Sequence, residues 1–146
     1  MKIETPTCEY RHRVPVQIRF NDVDMLGHVN NTVYLQYMDL GKADYFRQFA
    51  ENGRLDRMSL GFVIANINVD FLAPTMMHED IEVRTAVVEI GHKSVVLDQR
   101  VVNIVTGESK AAAKVTMVCF DTATGETHPV TDQWRDKISA YEGRKF

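Results

Sequence analysis

The chain is short of almost everything that would tie it to a membrane, a metal or a nucleic acid. No apolar run approaches the ~20 residues of a membrane-spanning helix. The first ten residues, MKIETPTCEY, lack the apolar segment of a secretory signal. Without either, the expected location is cytoplasmic. Cysteine is scarce: Cys8 and Cys119 form no CxxC pair and no metal-ligand spacing, and read as two reduced thiols, one near the terminus and one in a strand. The histidines, His12, His28, His78, His92 and His128, are scattered with no HxH or HxxxH pair, which argues against a metal hydrolase. There is no basic block or stripe. Seventeen Lys and Arg are mixed with 20 Asp and Glu for a formal net charge of -3, which argues against nucleic acid as a partner. An acidic ligand would have to rely on a local cluster of Lys and Arg. Internal repeats, low-complexity tracts and linkers are also absent.

What remains is the composition of one soluble domain covering residues 1–146, with 45% hydrophobic and 25% charged residues. A domain of this length buries roughly 70% of its unfolded surface and needs no disulfide or metal staple. Residues 14–20, VPVQIRF, alternate and read as a strand, with Pro15 suited to a strand start or an edge. Residues 31–50 read as a helix whose apolar stripe is Tyr34, Tyr37, Met38, Gly41, Tyr45 and Phe49. Asn30 or Asn31 is the expected N-cap, and ENGR at 51–54 the stop signal. Gly41 lies inside the stripe at a cost of about 1 kcal/mol against Ala, which makes sense if the helix must pass very close to a sheet. Strands are expected at 61–74, 80–91, 93–105 and 110–121, the second and third paired through a turn at Gly91, His92 and Lys93. A short helix after Thr131 closes the chain.

The order is strand, long helix, four strands as a meander, short helix: an α+β domain with a five-stranded antiparallel sheet. One helix covers one face of such a sheet. The alternation of Val63, Ala65, Ile67, Val69 and Phe71 with Ile64, Asn66, Asn68, Asp70 and Leu72 leaves apolar residues on the other face too, so self-association is expected.

One connection carries more chemistry than a turn requires. NDVDMLGHVNN, residues 21–31, holds two carboxylates, an imidazole, a glycine and three asparagine amides. A turn uses a Gly and one Asn or Asp, and capping uses one or two more such groups. The first turn of the following helix offers free N–H groups and the positive end of the dipole, which stabilise an oxyanion. Asp22 and Asp24 lie just upstream, where a carboxylate acts as base or nucleophile. Gly27 permits a sharp bend or close approach of a ligand. The segment therefore combines two needs of acyl transfer.

Residues 19–46, RFNDVDMLGHVNNTVYLQYMDLGKADYF, resemble the signature of hotdog-fold acyl-CoA thioesterases of the 4-hydroxybenzoyl-CoA thioesterase family. The pattern D-x-D-x-x-G-H-V-N-N-x-x-Y is met by Asp22, Asp24, Gly27, His28, Val29, Asn30, Asn31 and Tyr34. VDFLAP and HKS resemble the family more weakly, and His78-Glu79 stand where relatives often have a Gly. The resemblance implies a sheet wrapped around a long central helix, dimers or tetramers, and active sites at subunit interfaces. It implies that Asp24 is the catalytic carboxylate, that the N–H of Asn31 polarises the thioester carbonyl, and that His28 sits beside it. Lys93 and Ser94 match a turn that contacts the nucleotide end of coenzyme A, which is part of the substrate, so no separate cofactor is implied. Tyr34 and Asn68 are the implied substrate contacts, Asn68 from the partner subunit. Tyr34, Tyr37, Met38, Phe46, Phe62 and Phe71 line an acyl channel or fill the core, and core is the better reading. A non-catalytic acyl-CoA binding module shares the fold but has no need of Asp24. A hotdog dehydratase would carry its His on the central helix, which has Asp39 and Asp44 but no His. The acyl group is not legible.

Overall fold

A computed structural model describes residues 3–4, 9–50 and 61–146. Cys8 and the stop signal at 51–54 lie outside these residues. The elements are β1 (His12–Val16), a 3-10 turn (Phe20–Asp22), α1 (Asn31–Arg47), β2 (Gly61–Phe71), β3 (Ile81–Ile90), β4 (Ser94–Asn103), β5 (Ser109–Asp121), β6 (Glu126–Thr127) and α2 (Asp132–Glu142). The antiparallel sheet has the order β1-β3-β4-β5-β2, with the two-residue β6 added on β5. Helix α1 lies against one face, the arrangement of the hotdog fold.

The helix seats as its stripe predicts. Tyr34, Tyr37, Met38, Gly41 and Tyr45 are buried, and Phe49 is half-buried. A Cβ on Gly41 would stand 2.6 Å from Val83 Cγ1 and 3.2 Å from Gln99 Nε2, so the glycine is what lets helix and sheet approach. Gln99 uses that proximity: its Nε2 donates to the Met38 carbonyl at 2.9 Å and to Thr85 Oγ1 at 3.0 Å. Asn30 is the N-cap, its Oδ1 accepting from Thr32 N at 3.1 Å. The helix ends at Arg47 rather than at residue 50. Phe49 N bonds Phe46 O and Ala50 N bonds Arg47 O, the tighter i to i−3 pattern that closes many helices. Thr131 caps α2 as expected.

One expectation about the sheet is corrected and one is sharpened. First, the last four strands are not a meander. β3, β4 and β5 are one, through the expected hairpin at 91–93, but β2 pairs with β5 and lies at the far edge. Residues 72–80 carry the chain from that edge along the sheet end to β3. Leu72 N and Ala73 N donate to Lys110 O on β5, and Ile104 N beyond β4 donates to Asp80 O. The buried Lys110 reaches up to Pro74 O and to Glu79, 2.8 Å away, while Asn103 Nδ2 donates to Glu79 and Met76 N is bound by the same carboxylate. Burial opposes charge on Glu79, but the bonds from Lys110, Met76 and Asn103 prevail and hold its pKa down at about 2. His78-Glu79, the departure from the family pattern, thus supplies a clamp.

Second, the face away from α1 carries the expected apolar residues, Ala86 and Ala112 among them, but mixes them with charge. Asp98, Arg100 and Lys114 stand there, and the Asp98–Arg100 pair at 2.8 Å is buried under Tyr10, whose hydroxyl donates to Asp98, and Glu4, whose carbonyl accepts from Arg100. The bounds of the first strand also differ from expectation. β1 begins at His12, and Phe20 is drawn out of the strand because Asp22 N returns to Arg19 O. The unsatisfied feature of this monomer is an edge, β2, which leaves Val63, Ile64 and Phe71 exposed.

Candidate functional site

The connection at 21–31 folds on itself. Asp24 N donates to His28 O at 2.8 Å, Gly27 N to Asp24 O at 3.0 Å, and Val23 bridges Val29. Gly27 has φ +77°, the left-handed conformation that makes this turn a glycine position. Asp24 Oδ1 accepts from Leu26 N at 2.9 Å and His28 N at 3.2 Å. Two backbone donors therefore orient the carboxylate without neutralising it, and the residue is exposed. Met25 and Leu26 project into solvent beside it.

The segment is anchored to the linker at 72–80. Val29 N donates to Thr75 O at 2.8 Å, and His28 bridges Met76. Thr75 is fully buried, and Tyr34 Oη donates to its Oγ1 at 2.8 Å. Asn30 N donates to Asp22 O at 2.8 Å, which places the start of α1 one residue later. Among the described residues Asn31 N–H has no acceptor, as expected of the first helical residue. The fold thus brings Asp24, His28 and Asn31 onto one end of the sheet, with an oriented carboxylate, a half-buried imidazole and an open helix N-terminus. Such a set can activate water or attack a carbonyl carbon while a backbone donor receives the oxygen.

The other expected site residues lie elsewhere in the same chain. Tyr34 is buried and its hydroxyl is engaged by Thr75. Tyr37, Met38 and Phe46 belong to the core, Phe62 packs against it, and Phe71 is exposed beside the Tyr34 ring at 5.6 Å. Asn68 stands on the face away from α1, since its strand neighbours Ile67 and Val69 pack toward the helix, and its Nδ2 donates to Asn66 Oδ1. Lys93 and Ser94 occupy the β3–β4 hairpin, where Lys93 Nζ donates to Thr127 Oγ1 at 3.2 Å. That hairpin is at the other end of the ten-residue strand β3 from the linker, about 33 Å away. No group of three or more His, Cys, Asp or Glu side chains suited to a metal occurs among the described residues. Sequence reasoning missed Thr75 and the Glu79–Lys110 clamp. Neither has a local pattern, since their partners are 41 and 31 positions away in the chain.

Comparison with known proteins agrees with this geometry. The model of the thioesterase-like superfamily matches residues 18–138. The long-chain acyl-CoA thioesterase FadM of Escherichia coli K12 is 24% identical over 123 residues, 84% of this chain and 93% of its own. The acyl-CoA thioesterase YbgC of Haemophilus influenzae is 27% identical over 118 residues, 80% and 84% of the two chains. A thioesterase of Thermus thermophilus, solved with coenzyme A and zinc, superposes with a TM-score of 0.80 at 34% identity over 92% of this chain and 96% of its own. With the motif, the strand order and the matched span in agreement, this chain belongs to the thioesterase-like superfamily and has its hotdog fold.

Proposed function

We propose that the protein hydrolyses acyl-CoA thioesters to a free carboxylic acid and coenzyme A. The observation that carries this reading is the pairing of an oriented, exposed Asp24 carboxylate with the open Asn31 N–H at the start of α1. The names of FadM and YbgC, and the coenzyme A bound by the Thermus protein, support the substrate class.

In the general-base form, Asp24 takes a proton from water as the oxygen adds to the thioester carbon. Asn31 N–H holds the resulting oxyanion, with His28 orienting water or carbonyl. The C–S bond then breaks, and the coenzyme A thiolate leaves and is protonated. In the nucleophilic form, Asp24 itself attacks the thioester carbon, the C–S bond breaks with release of the coenzyme A thiolate, and water hydrolyses the resulting mixed anhydride to free acid and the Asp24 carboxylate. A positioned base supplies roughly 10²–10⁴-fold and an oxyanion donor roughly 10²–10³-fold.

The same reading places the site between two copies. β2 runs from the hairpin end of the sheet to the linker end, where Phe71 meets Tyr34. Antiparallel pairing of two β2 edges about a two-fold axis sets the hairpin end of one sheet beside the linker end of the other. Lys93 and Ser94 of one copy then serve the nucleotide arm of a substrate whose thioester lies at Asp24 of the other. Asn68 joins from the same strand. A homodimer, alone or paired into a tetramer, is the working unit.

Steady-state assay of thiol release against short, long, branched and aromatic acyl-CoAs tests the reading. Asp24→Asn keeps the size, loses the base, and should lower kcat by roughly 10²–10⁴-fold while binding of a non-hydrolysable analogue survives. Full activity in Asp24→Asn would remove Asp24 from the chemistry. A parent that binds acyl-CoA without cleaving it would make the protein a binding module.

A further inference from the structure

The thioesterase reading leaves Tyr37 and Asp22 without a task, yet they make a tie found nowhere else in the site. Tyr37 lies six residues into α1, about 9 Å along the axis from Asn31. Its hydroxyl donates to Asp22 Oδ2 at 2.7 Å, and the same oxygen accepts from Arg19 N at 2.8 Å. Among the described residues this is the only side-chain hydrogen bond from α1 to residues 19–24. The backbone of Asp22 faces the other way, its carbonyl accepting from Asn30 N at 2.8 Å. One residue thus holds the helix twice, through its carbonyl at the N-cap Asn30 and through its carboxylate seven residues on. Asp24 follows two residues later.

Packing supports this flank only in part, through Ile18 and Val23. On that flank a cavity of about 490 Å³ separates β1 and its exit from the helix, lined by Val16, Arg19, Asp22, Gln36, Tyr37 and Leu40 among others. Phe20, two residues before Asp22, is exposed. Of Arg19 to Asp24, Arg19 and Asp22 line this open space while Val23 packs on the core, so on the Asp22 side the distance from the helix is set by hydrogen bonds. The bond stays formed at working pH: burial, then the hydrogen bond and charge of Asp22, raise the Tyr37 pKa well above its ordinary value.

We infer that Tyr37 and Asp22 form a strut that sets the spacing between the Asp24 carboxylate and the Asn31 N–H, which makes Tyr37 a positioning residue for the proposed hydrolysis. Neither touches the reacting atoms. Misplacement of a reacting group by about 1 Å costs on the order of 10²-fold, and loss of the strut should produce part of that.

The test compares Tyr37→Phe, Asp22→Ala, the double variant and Asp22→Asn, assayed well below their melting temperatures. Tyr37→Phe and Asp22→Ala should each lose roughly 10–100-fold in kcat with KM within about twofold. The double variant should be no worse than Asp22→Ala, since both remove one link. Asp22→Asn retains an oxygen that accepts from Tyr37 and should stay near the parent. Tyr10→Phe, which loses a matched hydroxyl–carboxylate bond on the far face of the sheet, should lower Tm and leave kcat unchanged. Amide hydrogen exchange supplies a readout independent of turnover: Asn30, whose N–H is held by the Asp22 carbonyl, should exchange faster in Tyr37→Phe and at the parent rate in Tyr10→Phe. Parent kcat and parent exchange in Tyr37→Phe would overturn the strut, as would losses that multiply in the double variant. A parent with no turnover on any acyl-CoA defeats the thioesterase reading instead, and the exchange comparison still decides the strut.

Discussion

The two edges of the sheet are built to opposite specifications. β1 is five residues long, carries Pro15 and Arg13, and is joined to its neighbour by an ion pair, with Arg13 3.7 Å from Glu82. Short length, proline and charge are the usual means of keeping an edge from pairing. β2 is eleven residues long, has no proline and no charged side chain before Asp70, and exposes Val63 at 45% and Ile64 at 43%. The contrast separates an edge meant to stay alone from one left open, and it places the interface proposed above on β2.

That contrast can be broken most sharply at β2 itself. Val63→Lys with Ile64→Lys gives the open edge the charge of a protected one without touching the buried core. The expected result is a monomer of 16.7 kDa by light scattering, with kcat/KM for acyl-CoA falling sharply because each thioester site loses the Lys93, Ser94 and Asn68 of the copy that holds its substrate. A dimer of parent activity would move the interface elsewhere.

The linker that leads from the open edge to β3 gives the next effect. Glu79→Gln removes the carboxylate that holds Lys110, Asn103 and Met76 N, and should cost on the order of 2 kcal/mol at pH 7. The folded pKa of Glu79, about 2, lies below its ordinary 4.5. Its contribution is therefore complete above about pH 4.5 and lost as pH falls toward 2. Urea denaturation across this range should show the parent's advantage over Glu79→Gln shrinking with falling pH, and an advantage that stayed constant would separate the clamp from ionisation. Smallest is Arg13→Ala on the protected edge: within about 0.5 kcal/mol by chemical denaturation, with unchanged mass. A gain of self-association there would show that Arg13 alone guards β1.

The long helix, its cap and the need for Gly41 were legible because each rests on local spacing. The compact fold of the loop was legible for the same reason. Asp24, Gly27, His28, Asn30 and Asn31 lie within eight residues and fold mainly onto one another. The meander was misread because nothing in VIANINVDF marks its partner. The register of β2 with β5 is set by a linker whose anchors, Lys110 and Asn103, come later in the chain. Tyr37 was read as core, and it is. Its hydroxyl's destination, Asp22, depends on how the 3-10 turn at 20–22 brings that residue back against the helix, and periodicity does not report that.

The placement of β2 also sets a timetable for synthesis. Its partner residues in β5 lie between 40 and 59 positions later in the chain, counting from Phe71↔Ala111 to Gly61↔Phe120. At ribosomal rates of roughly 5–20 residues per second, an eleven-residue apolar strand waits on the order of seconds with both of its edges bare. Pairing then requires closure of a long loop, which slows folding relative to hairpins such as β3–β4. The strand that the finished monomer offers to a second copy is thus also the one most exposed to the wrong copy while the chain is being made, and high expression at elevated temperature should send nascent protein into aggregates through residues 61–71 first.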